Sequence, residues 1–152
     1  MAISLITGAI KSGKSEFAEK KALSYKKITY IALSKPLPND KQWQDKVKIH
    51  KSRRPSTWDV IENDDLFYIF RNVSGPLLID SIGGFVVKYI NEDNNKWEKN
   101  LLLLNKSLRE YKGDIIIVGE QVGWGLVSEY RIGNLFTERM GEVLRDITSI
   151  SC

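Results

Sequence analysis

Residues 8–15 read Gly8-Ala9-Ile10-Lys11-Ser12-Gly13-Lys14-Ser15, a complete G-x-x-x-x-G-K-S, and this octapeptide limits the fold more than any other stretch of the 152 residues. Its glycines let the backbone turn tightly, so that successive N–H groups face inward around an anion. Lys14 is placed to reach the β- and γ-phosphates of a nucleotide, and the Ser15 hydroxyl to hold Mg2+. The geometry works only if a strand delivers the loop and a helix leaves it with its N-terminus aimed at the same phosphate. Both are present in the sequence: Ile3 to Thr7 is an apolar β-rich run, and Glu16-Phe17-Ala18-Glu19-Lys20-Lys21-Ala22 favours a helix.

The same alternation continues to the C-terminus. Further strands are expected at Ile28 to Leu33, Thr57 to Ile61, Leu77 to Asp80 and Ile115 to Gly119. The Ile-Ile-Ile-Val run of the last suits burial on both faces. Trp97, Leu101, Leu104, Leu108 and Tyr111 form one helical stripe, and Ile132, Leu135, Phe136, Val143, Leu144 and Ile147 another. A shorter helix holds Leu66, Phe67, Ile69, Phe70 and Val73, with Asn63 placed to cap it. This pattern predicts an α/β fold, P-loop NTPase-like, with a mostly parallel sheet and helices on both faces. No repeat or linker divides it, so residues 1–152 are expected to be a single nucleotide-binding domain.

A nucleotide site of this kind also needs a carboxylate at the end of a neighbouring strand, to orient the metal or its waters. Leu77-Leu78-Ile79-Asp80 ends in one, and the competing reading makes Asp80 a cap for the segment Ile82-Gly83-Gly84. One cysteine, Cys152, rules out an internal disulfide and a cysteine-rich zinc cluster, and one histidine, His50, rules out multi-histidine metal sites. The N-terminus lacks the pattern of a signal peptide, and no window approaches the roughly 18 apolar residues of a membrane span. A cytoplasmic location is expected. Net charge is +4, with the basic excess in the first half, which suits an anionic ligand there.

Much of that excess lies in Asp40 to Pro55, where Trp43, Val47 and His50 share one face of a short helix. Three readings fit this segment. His50 could be a packing residue; Lys46, Lys48, Lys51, Arg53 and Arg54 could form a solvated face or a nucleic-acid patch; or the cations could hold a triphosphate while His50 attacks it.

With these residues in view, the chain resembles the bifunctional adenosylcobinamide kinase/adenosylcobinamide-phosphate guanylyltransferase family of cobalamin assembly. The resemblance runs from Ile3 to about Ile147. It rests on the phosphate loop, Tyr30-Ile31-Ala32, His50-Lys51-Ser52-Arg53-Arg54-Pro55 with Trp58 and Glu62, Leu77 to Asp80, and Val122-Gly123-Trp124-Gly125-Leu126-Val127-Ser128-Glu129-Tyr130-Arg131. H-x-x-x-R-P-x-x-W together with V-G-x-G-x-V-x-E-x-R is the specific part. Gln121 and Ser128 depart from the family's usual Glu and Pro, and the sequence stops at Cys152, short of the family's final apolar strand.

The resemblance implies a GMP-histidine intermediate on His50. It implies guanine-nucleotide contacts at Gly8, Ala9, Ile10, Lys11, Ser12, Gly13, Lys14 and Ser15, and at Ser34, Lys51, Ser52, Arg53, Glu62 and Asp80. Glu62 would read the base or ribose, and Trp124 would approach the corrinoid or the nucleotide unless it packs on the surface. Lys14 and His50 would be catalytic, Ser15 and Asp80 would serve Mg2+, and GTP and ATP would be the triphosphates. The partners implied are a corrinoid and copies of the same chain in a homotrimer, with no nucleic acid. The alternatives are another small-molecule P-loop kinase with a structural His50, and a non-enzymatic nucleotide- or nucleic-acid-binding module.

Overall fold

The structure, a computed structural model, describes residues 2–8, 13–33, 39–52, 54–120 and 131–151. Five strands occupy Ile3–Gly8 (β1), Thr29–Ala32 (β2), Asp59–Glu62 (β3), Leu77–Asp80 (β4) and Ile115–Glu120 (β5). The helices are Lys14–Ala22 (α1), Lys41–Ser52 (α2), Leu66–Asn72 (α3), Gly83–Lys88 (α4), Asn94–Glu110 (α5) and Arg131–Ile150 (α6). All five expected strands form, and all their pairings are parallel, in the order β1-β5-β4-β2-β3. This is the expected α/β architecture, P-loop NTPase-like. No helix among the described residues is long and apolar enough to cross a membrane.

Strand side chains alternate between faces, and here the alternation divides the core in two. Ile3, Ile31, Leu77, Ile79, Ile115 and Ile117 point to one face and pack with α3, α4, α5 and α6. Tyr30, Ala32, Leu78, Ile116 and Val118 point to the other, where Ala18 and Ala22 of α1 meet them. Alanines on that helix let it lie close to the sheet. On the larger face, the α5 stripe is buried at every expected position, Trp97, Leu101, Leu104, Leu108 and Tyr111.

Two expectations shift at the helix ends. Asp65 caps α3 by accepting from the Tyr68 N–H, while Asn63 accepts from the N–H of Asp65 and so shapes the approach to the cap. Ile132 is 61% exposed, so the buried stripe of α6 is carried by Met140, Val143 and Ile147. A buried charge is built into this layer. The Arg139 guanidinium donates to the carbonyls of Tyr89, Ile90 and Glu92 at 3.0, 3.1 and 2.7 Å, and lies over the Trp97 ring, tying the α4–α5 turn to α6.

Helix α4 approaches β2 so closely that a Cβ at Gly84 would lie 2.4 Å from the Leu33 carbonyl oxygen, a backbone atom that cannot swing aside. Gly141 in α6 faces open space. Gly84→Ala should therefore destabilise the protein by about 1–3 kcal/mol, as overpacking does. Gly141→Ala should stabilise it by about 0.5–1 kcal/mol through helix propensity. Urea midpoints for the two variants that move in the same direction would contradict this packing.

Candidate functional site

Parallel α/β sheets open a crevice outside the carboxyl ends of their strands, where successive helices leave to opposite faces. Here α1 leaves toward the smaller core and α4 toward the larger one. At that edge the chain enters α1 through Gly13, whose φ of +82° lies in the left-handed region. A side chain there would cost on the order of 1–2 kcal/mol, so glycine is the residue this entry requires. Lys14 follows and is buried, and Ser15 is half-buried. Ala9, Ile10, Lys11 and Ser12 of the expected loop lie outside the described residues, as do Ser34 and Arg53.

Asp80 ends β4 on the face that α1 covers. One carboxylate oxygen, Oδ1, accepts from the Ser15 hydroxyl at 3.4 Å, and Oδ2 accepts from the Tyr30 hydroxyl at 2.9 Å. The capping alternative does not hold: Ile82 occupies the N-cap position of α4 and supplies no side-chain cap, and it is the Ser81 hydroxyl that accepts from the Gly83 N–H. Burial foremost, then the charge of Asp80, holds the Tyr30 hydroxyl far above the ordinary tyrosine range. It therefore stays protonated and remains a donor. A serine hydroxyl and a carboxylate meeting at a helix N-terminus form a hard-oxygen donor set of the kind Mg2+ takes beside a phosphate, so the residues present fit that ion.

Arg54 is where the structure departs most from the sequence reading. It is not one of a row of solvated or phosphate-binding cations. Its side chain is 3% exposed, its Nη2 donates to Glu19 Oε1 at 2.8 Å, and its guanidinium carbon sits 3.7 Å from the centroid of the Tyr30 ring. The chain after α2 thus passes beneath the same face as α1, and Trp58 is buried there too.

Helix α2 carries His50, Lys51 and Ser52 in its final turn. The side chains of Trp43, Lys46, Val47, His50 and Lys51 lie outside the described residues. Ser52 donates back to the Ile49 carbonyl at 2.9 Å. Glu62 ends β3 half-buried, in register with Ala32, which is itself in register with Asp80. At about 4.8 Å per strand this sets Glu62 roughly 10 Å along the edge from Asp80. Lys14, Ser15 and Asp80 are therefore gathered at one point, Glu62 shares their edge, and Arg54 lies beneath. Residues 121–130, including Trp124, lie outside the described residues.

Sequence reasoning missed Tyr30 and Glu19 as part of this cluster, although both leave a signal. Ser15, Ala18, Glu19 and Ala22 fall at i, i+3, i+4 and i+7, so Glu19 lies on the alanine face that meets the sheet. A carboxylate on such a face calls for a buried cation.

Comparisons with known proteins bear on what this edge does. Residues 4–151 match the family model described as cobinamide kinase / cobinamide phosphate guanyltransferase. The chain is similar to the bifunctional adenosylcobalamin biosynthesis protein CobU of Escherichia coli K12, with 23% identity over 95% of this chain and 89% of that protein. It is 25% identical to the protein of the same name from Salmonella typhimurium LT2, over 91% of this chain and 86% of the relative. Among solved structures it is similar to a KaiC-like protein of Pyrococcus horikoshii, with a TM-score of 0.48 at 22% identity, covering 89% of this chain and 69% of that one. It is also similar to the RadB recombinase, with a TM-score of 0.47 at 16% identity, covering 88% and 70%. With Gly13, Lys14 and Ser15 at the edge of a parallel sheet and a family match spanning nearly its whole length, the chain belongs to the cobinamide kinase / cobinamide phosphate guanyltransferase family.

Proposed function

We propose that this chain catalyses both transfers: a phosphoryl group from ATP or GTP to adenosylcobinamide, and then GMP from GTP to adenosylcobinamide phosphate. The observation that carries the reading is the meeting of α1's first residues with the Asp80 carboxylate, Ser15 Oγ to Asp80 Oδ1 at 3.4 Å, within a chain of this family. Gly8 through Ser15 would cradle the phosphates, and Lys14 would offset the charge that builds on the transferred group. Ser15 and Asp80 would hold Mg2+, which when bound neutralises phosphate charge and orients the nucleotide. The acceptor in the first step is the aminopropanol hydroxyl of the corrinoid: its oxygen bonds to the γ-phosphorus, its proton is released, and the nucleoside diphosphate departs.

In the second step a neutral His50 nitrogen attacks the α-phosphorus of GTP, and pyrophosphate leaves with the bonding electron pair. A phosphate oxygen of the corrinoid then displaces the imidazole, which returns to its free form. Lys51, Ser52 and Arg53, next to His50 in sequence, supply the donors for the triphosphate, and Glu62 accepts hydrogen bonds from the base or ribose. Ser34 completes the nucleotide contacts after β2.

Lys14→Ala should lower the affinity for Mg-nucleotide at least tenfold by titration calorimetry while leaving the melting temperature nearly unchanged. Affinity within twofold of the native chain would remove the phosphate-loop assignment. In a turnover assay with adenosylcobinamide and GTP, His50→Asn should stop at the phosphorylated corrinoid, with phosphoryl transfer kept within a few-fold. A folded His50→Asn protein that still forms the guanylylated product would refute the histidine step.

A further inference from the structure

Five side chains close a circuit around the start of α1. Ser15 meets Asp80 Oδ1, and Tyr30 donates to Asp80 Oδ2. Arg54 lies over the Tyr30 ring and pairs with Glu19, which stands one helical turn beyond Ser15. The register explains the reach: Tyr30 is opposite Leu78 and Ala32 opposite Asp80, so Tyr30 is the diagonal neighbour of Asp80 on the same face. A carboxylate at a strand end otherwise turns freely about two torsions. Here one oxygen is taken by a buried hydroxyl whose ring cannot shift without moving Arg54, and Arg54 cannot move without losing Glu19.

We infer that Tyr30 is a positioning residue: its hydroxyl fixes the orientation of Asp80, so that the other oxygen faces Ser15 and a bound Mg-nucleotide. The inference deepens the proposed function and rests on its assignment of Asp80 to Mg2+. A packing role alone would affect stability without changing how nucleotide binding depends on Mg2+.

The test is equilibrium binding of a fluorescent GTP analogue titrated with Mg2+, with parallel titrations in excess EDTA and a thermal melt of each protein. Tyr30→Phe keeps the ring that seats Arg54 and loses only the hydroxyl. It should raise the Mg2+ concentration for half-maximal enhancement about five-fold or more, and leave the affinity in EDTA within twofold. Arg54→Lys, a second probe that leaves Tyr30 in place but removes the plate pinning its ring, should raise it two- to five-fold. Asp80→Asn should abolish the enhancement, and adding Tyr30→Phe to it should change nothing further. A Mg2+ requirement in Tyr30→Phe or Arg54→Lys equal to the native one, while Asp80→Asn is impaired, overturns the positioning role and leaves the Asp80 assignment standing. An Asp80→Asn protein with native Mg2+ dependence overturns both together.

Discussion

This chain places the guanidinium of Arg54, a planar group of five N–H donors, under a β-sheet. Desolvating a guanidinium costs several kcal/mol even after relaxation, so the surroundings must answer it. Among the described residues, the Glu19 carboxylate and the Tyr30 ring answer it. The net gain in stability from such a pair is small, but removing one partner typically costs about 3–5 kcal/mol. What the pair supplies is position. Glu19 must face the sheet among alanines, which fixes the rotation of α1 about its axis. The chain leaving α2 must dip beneath that helix, which fixes where the segment carrying His50 begins its return to β3.

The two faces of the sheet consequently do different work. The larger core, under α3 to α6, is almost wholly apolar at the sheet and supplies most of the buried surface. The smaller face holds the polar circuit, and each member is tied to an element that carries a residue of the proposed site. Glu19 lies on the helix that opens with Lys14 and Ser15, Tyr30 lies beside Asp80, and Arg54 follows the helix of His50. Phosphoryl and guanylyl transfer both require groups held to within a fraction of an ångström, and side chains locked by buried partners meet that need better than exposed ones.

Much of this was legible in the sequence, for physical reasons. Five short β-rich runs separated by helix-period segments have few arrangements other than a parallel sheet, and the glycine and lysine of the phosphate loop mark which strand end carries chemistry. Asp80 could be read because three apolar residues precede it. Arg54 could not, because its neighbours Lys51 and Arg53 make it look like one cation among several, and its partner stands 35 residues upstream. Tyr30 was hidden by a similar ambiguity: a tyrosine in a strand reads as core, and it is core, but its hydroxyl has a second task. The Asn63 expectation failed more locally, since three consecutive residues, Asn63, Asp64 and Asp65, are all capable of capping and backbone geometry chose Asp65.

The central claim is that the imidazole of His50, in the final turn of α2, carries GMP. The native chain incubated with GTP and Mg2+, quenched in base, digested and mapped by mass spectrometry tests it most directly. The account predicts GMP on the single peptide containing His50, stable to base and lost in mild acid, and released on adding adenosylcobinamide phosphate. GMP on a serine or lysine elsewhere, or no covalent nucleotide under conditions where the guanylylated corrinoid is formed, would contradict it.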